Sequence, residues 1–126
     1  MTEKLNYIKR QGINAQQGMK YADDSLDFYE QLITLFLDEY ENKRACVLKE
    51  SEKAGQGYTG LAHGLKNNAR SLGADKLADL AYEHELASKA GDVGFIKENL
   101  DALLETWEQT VHIFKEMVTI QSHADL

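Results

Sequence analysis

The stretch IKENLDALLETWEQTVHIFKEMV, residues 96–118, sets apolar side chains at Ile96, Leu100, Leu103, Trp107, Val111, Phe114 and Val118. The steps are all of four or three residues, which draws one narrow apolar seam along an α-helix and does not fit the two-residue alternation of a strand. Such a seam covers one side of a rod, so the helix needs partners. Working outward, Gly91 closes the preceding segment and Asp92 is placed to cap this helix. In that preceding segment Leu77, Leu80, Ala81 and His84 keep the helical period. Before it, Tyr58, Leu61, Ala62, Leu65, Ala69 and Leu72 share one face of a helix that ends at Gly73, a natural left-handed stop. From Leu26 to about Glu50 the apolar positions Tyr29, Leu32, Ile33, Phe36, Tyr40, Val47 and Leu48 describe another amphipathic helix, with Asp24 or Ser25 as its cap. Residues 12–24 suggest a short helix capped by Asn14, with Gln17 at the capping-box position.

A seam this regular also suits a long coiled coil, but the glycine breaks near 57, 73 and 91 allow short connections and therefore antiparallel neighbours. No alternating β-branched run is long enough for a strand, and no internal repeat stands out. The expected architecture is all-α: an antiparallel four-helix bundle with a short extra N-terminal helix, one domain over residues 1–126. The absence of proline agrees with helices, since average usage would place roughly six in such a chain. Hydrophobic residues at 43% and charged residues at 28% suit a globular core. Fourteen Lys and Arg against 21 Asp and Glu give a net charge of −7, which disfavours nucleic acid as a partner. The opening residues lack a signal peptide's apolar stretch, and no run approaches the ~20 apolar residues of a membrane span, so a cytoplasmic location without membrane contact is expected. The single cysteine, Cys46, lies in the run Ala45-Cys46-Val47-Leu48, where a small buried hydrophobe is the expected role.

Three constellations invite a chemical reading. Gly55, Gly57 and Gly60 spell G-x-G-x-x-G, but that fingerprint needs a strand before the loop, and here a helix precedes it. Glu-x-x-His pairs can hold two metal ions in a bundle, yet Gly60, Ala81, Gln109 and Ile120 stand three residues before His63, His84, His112 and His123. No metal site is expected. The third constellation surrounds His63. With the Leu61/Leu65/Ala69/Leu72 stripe at zero, His63 falls at about 140°, Lys66 at about 80°, Asn67 at about 180° and Arg70 at about 120°. An imidazole with cationic neighbours on a polar face can receive an anion, although a solvated histidine fits the same geometry.

The string Ala62-His63-Gly64-Leu65-Lys66-Asn67-Asn68-Ala69-Arg70-Ser71-Leu72-Gly73-Ala74 resembles the phosphoacceptor helix of histidine-containing phosphotransfer (HPt) domains, typically A-H-x-L-K-G-x-[SA]-x-x-[LI]-G-A. His63, Leu65, Lys66, Ala69, Leu72, Gly73 and Ala74 agree in type and spacing, and Leu77 and Glu85 fit the family's following helix. The likeness extends to the Gly12-Ile13 opening and the Gly91-Asp92 joint, and so along nearly the whole chain. It implies that His63 takes a phosphoryl group from a phospho-aspartate on one receiver domain and passes it to an aspartate on another. Lys66, with Arg70 as a second candidate, offsets phosphoryl charge, while Gly64 and Asn67 belong to the binding surface. Such a domain needs no cofactor of its own, because Mg²⁺ sits in the partner receiver. Its partners are response-regulator receivers and a hybrid or sensor histidine kinase. With no phosphate cradle for ATP, the chain is expected to relay phosphate rather than act as a kinase.

Two positions depart from the family's pattern. Asn67 stands where glycine is usual, above the imidazole, and opens the alternative of a docking module that binds a receiver or kinase without exchanging phosphate. His84 stands where leucine is common and is expected in the core. His112-Ile113-Phe114-Lys115 mimics the motif on the last helix, but Glu116 one turn on would repel a phosphoryl group of roughly −2 charge.

Overall fold

The structure is a computed structural model that describes residues 2–120. Those residues form six helices and no strand: α1 (Glu3–Arg10), α2 (Ala15–Tyr21), α3 (Leu26–Glu50), α4 (Gln56–Ser71), α5 (Asp75–Lys89) and α6 (Val93–Thr119). The caps read from the sequence are in place. Asn14 Oδ1 accepts from the Gln17 amide at 3.1 Å, Ser25 Oγ from Phe28 at 3.1 Å and Asp92 Oδ1 from Phe95 at 3.0 Å, each satisfying one amide left without a partner at a helix start.

The helices α3 to α6 form the bundle, and the apolar seam of α6 is its spine. Trp107 meets Tyr40 of α3 edge to face at 5.3 Å between ring centroids, and Phe114 meets Phe36 at 5.9 Å. Both contacts lie in the core with Ile33, Leu77, Leu103 and Ile96, where each fully buried side chain of this size contributes about 1.5–3 kcal/mol. With 25 and 27 residues, α3 and α6 are longer than α4 and α5, at 16 and 15. α1 packs on α6, and α2 packs on α3 and α4. Gly73 joins this layer to the bundle. It turns the chain at φ 84°, its carbonyl accepts from the Asn14 amide at 2.8 Å, and a Cβ there would collide with the Asn14 carbonyl. The Tyr29 hydroxyl donates to the neighbouring Leu72 carbonyl at 2.6 Å.

Two expectations are corrected. A second short helix, α1, precedes the one expected near residue 14; it is anchored by Leu5 and Ile8, a single apolar repeat too short to read as a periodic signal. Cys46 is exposed rather than buried. Its neighbour Val47 takes the inward position on α3, and at about 100° per residue Cys46 cannot share it. A helix precedes the glycine string, as expected, but only Gly55 lies at the junction between the helices, where it caps α4; Gly57 and Gly60 are inside α4 rather than in a loop.

His84 is buried at 1% exposure and bridges three helices. The Asn99 carbonyl of α6 can only accept, so His84 Nε2 carries the proton and donates to it at 3.1 Å. The Tyr58 hydroxyl of α4 then donates to Nδ1 at 2.7 Å. Burial lowers the His84 pKa, against the smaller opposing effects of the Asn99 bond and the Glu83 charge. The unfolded chain therefore binds the proton first, and the stabilising contribution of neutral His84 is complete above the unfolded value of 6.5 and declines as pH falls below it. Unfolding midpoints measured from pH 8 to pH 5 are expected to fall in the wild type and to change less in His84→Leu. The single substitution leaves the Tyr58 hydroxyl without its acceptor, at a cost of about 1–3 kcal/mol, and Tyr58→Phe in the same chain should recover it.

Candidate functional site

α4 and α5 form a hairpin around the Gly73 turn, and polar bonds hold its open end in register. Thr59 Oγ1 and Ser88 Oγ are 2.7 Å apart and lie 3.0 and 3.2 Å from the Gly55 carbonyl, so one hydroxyl donates to the other, which in turn donates to the carbonyl. One turn along from this clasp, α4 presents His63 with 53% of its side chain exposed, opposite Glu85 of α5, whose side chain is 3% exposed.

Glu85 is the electrostatic centre of the arrangement. Its Oε2 lies 3.1 Å from His63 Nδ1 and 2.9 Å from Lys89 Nζ, and its Oε1 lies 2.8 Å from Lys66 Nζ. Burial alone would raise its pKa, but the bonds from Lys66, Lys89 and His63 outweigh that cost and hold the carboxyl at about 2. Glu85 is thus ionised and can only accept, so the facing Nδ1 of neutral His63 must carry the proton. The lone pair is left on Nε2, the nitrogen on the other side of the ring. Asn67 Nδ2 lies 3.1 Å from that nitrogen. Lys66 Nζ is also 3.4 Å from Nδ1 and 5.0 Å from the centre of the Tyr82 ring, so its charge stays beside the imidazole while Glu85 anchors it.

Of the residues singled out from the sequence, His63, Lys66 and Asn67 come together. Gly64 borders them, and a side chain there would meet nothing within 4 Å, which leaves the surface open beside the imidazole. Arg70 is held elsewhere. Its guanidinium pairs with Asp79 at 3.0 Å and Asp75 at 3.8 Å, both on α5. His112 is exposed on α6 in a separate hollow of about 950 Å³ between α3, α6 and Gln11, which shares no residue with the His63 site. His123 lies outside the described residues. Among the described residues, no group of three or more His, Cys, Asp or Glu side chains is gathered to hold a metal ion.

Glu85 and Lys89 were not singled out as site residues from the sequence. A signal was present, because Leu77, Ala81, His84, Glu85 and Ser88 repeat at the spacing of a buried helix face, where a carboxylate needs a partner. Lys89 follows Glu85 by four residues, one turn away on the same helix.

No family model matches the chain, and no solved structure matches it. Similarity to a protein of phosphorelays supports an HPt-like family. That relative is the phosphorelay protein LuxU of Vibrio cholerae serotype O1, 28% identical over 88 residues, which are 69% of this chain and 78% of the relative.

The depressed Glu85 pKa has a consequence for folding. The unfolded chain holds a carboxyl with the ordinary value of 4.5, so on acidification it binds the proton first. The Glu85 contribution is full above about pH 4.5 and is lost as pH falls toward 2; a shift of this size corresponds to a contribution on the order of 3 kcal/mol. Urea unfolding from pH 6 to pH 2.5 should show a shallower loss of stability in Glu85→Gln than in the wild type.

Proposed function

We propose that the chain is a histidine phosphotransfer protein, with His63 as the phosphoacceptor of a relay between receiver-domain aspartates. The observation that carries this reading is the buried, ionised Glu85 bonded to Nδ1, which leaves Nε2 as the nucleophilic nitrogen on a half-exposed imidazole. The Nε2 lone pair attacks the phosphorus of an aspartyl phosphate, the Nε2–P bond forms, the P–O bond breaks, and the aspartate leaves as carboxylate. Nδ1 keeps its proton throughout. The positive charge that the ring then carries lies against the Glu85 carboxylate, and Lys66, anchored on Glu85 with its Nζ 3.4 Å from Nδ1, is the cation beside the imidazole that would offset phosphoryl charge. Transfer to a second aspartate is the reverse.

In this reading the 1–126 chain acts as one domain, is not a kinase, and needs no cofactor of its own. Mg²⁺ would sit in the receiver, and the partners are response-regulator receivers and a hybrid or sensor histidine kinase in the cytoplasm. Similarity to the phosphorelay protein LuxU supports the assignment, and no helix of the described residues is long and apolar enough to cross a membrane. The second reading, a docking module that binds such partners without exchanging phosphate, is favoured by the Asn67 amide at His63 Nε2.

Incubation with a radiolabelled phosphoreceiver separates the two. Label is expected on the wild type and on His112→Gln and is expected to be absent from His63→Gln, whose helicity should match the wild type because the replaced side chain is half exposed. Label retained by His63→Gln would refute the assignment, and an unlabelled wild type that still binds the receiver would establish the docking module.

Lys66→Met is expected to slow labelling about tenfold or more, the size of a hydrogen bond to a charged group. Its melting temperature should also fall, because Glu85 loses one of its three partners. Stopped-flow transfer and thermal denaturation of the same sample would test both.

A further inference from the structure

The imidazole of His63 is bonded on both sides. Glu85 fixes the proton on Nδ1, so the Asn67 carboxamide, 3.1 Å from Nε2, donates its N–H into the lone pair that has to attack phosphorus. An sp² ring nitrogen directs that pair along a single line in the ring plane, and a donor N–H and an incoming phosphorus atom need the same line. They cannot occupy it together.

Position 67 supplies this contact by its place in the helix, four residues beyond His63 on the same face. Asn67 is exposed, so rotation of its side chain meets solvent rather than packed core. Ser71 bonds the backbone carbonyl of Asn67 at 2.8 Å and does not restrain the carboxamide. The bare surface at Gly64 leaves room for a donor to approach once the amide has turned.

Resting on the phosphotransfer reading, we infer that Asn67 is a gating and positioning residue. Its carboxamide caps Nε2 while the site is empty, turns aside to admit the phosphoryl group, and then donates the same N–H to a phosphoryl oxygen on His63. The gate therefore slows loading and also slows loss of the phosphoryl group. A residue with only a structural role in α4 would produce neither change with unaltered folding.

Phosphoramidate is the suitable probe, because a donor this small does not need the surrounding docking surface. Its P–N bond breaks as the Nε2–P bond forms, ammonia leaves with the electron pair, and His63 keeps the proton on Nδ1. Wild type and Asn67→Ala are loaded in parallel and followed by ³¹P NMR, with His63→Gln as the blank. Loading and subsequent hydrolysis are both expected to be about fivefold faster in Asn67→Ala, the factor that one neutral hydrogen bond supplies. In the unphosphorylated proteins, the ¹⁵N resonance of His63 Nε2 should move downfield in Asn67→Ala as the nitrogen loses its donor. Equal or slower loading, or an Nε2 resonance that does not move, overturns the gate. If both proteins are labelled at His63 at one rate, the gate fails and the phosphotransfer reading stands. If neither phosphoramidate nor a phosphorylated receiver labels His63 in either protein, both fall.

Discussion

A carboxylate removed from water costs several kcal/mol unless charge and hydrogen bonds replace its hydration. Glu85 meets that demand with three partners, two from α4 and one from its own helix. The demand constrains the rest of the site. α4 and α5 must keep the register that brings Lys66 and His63 to the same carboxylate, and the imidazole must turn one chosen nitrogen inward. Lys66 and Lys89 against Glu85 leave one net positive charge on this part of a chain whose total is −7. An anion meets local attraction on a surface that otherwise repels it.

Next to Glu85 in sequence, His84 meets the same problem of burial with the opposite charge state. It remains neutral between a hydroxyl that donates and a carbonyl that accepts. Two adjacent residues on α5 thus carry polar links to different neighbours, His84 to α4 and α6 and Glu85 to α4 and its own Lys89. The first is a fully enclosed structural bridge. The second opens to solvent through His63, and that opening distinguishes a site from a core contact.

Much of the helical architecture was legible from apolar spacing and glycine breaks, since the seam of α6 and the caps at Asn14, Ser25 and Asp92 are local features. α1 gives no periodic signal because Leu5 and Ile8 span less than two turns, and its burial depends on α6, more than eighty residues away. Cys46 faces outward although its neighbours are apolar, because an apolar run does not say which of its members faces inward. On the site, the closeness of His63, Lys66 and Asn67 followed from three- and four-residue spacing on one helix. The partnership with Glu85 depends on how α4 lies against α5, which periodicity does not encode. Arg70 illustrates the same limit, since Asp75 and Asp79 on the facing helix decide where its guanidinium rests.

His63 and Glu85 are 22 residues apart, and one turn at Gly73 joins the helices that carry them. The entropy of closing so short a segment is small compared with that of bringing α1 against α6. The residues around the imidazole, from the Thr59 clasp to Lys89, belong to this same hairpin. Local opening that releases α1 or the far end of α6 therefore leaves the spacing of His63 and Glu85 intact. The orientation of the imidazole and global stability are consequently separable in this chain: a variant loosened at its periphery keeps the imidazole oriented as long as the α4–α5 unit persists.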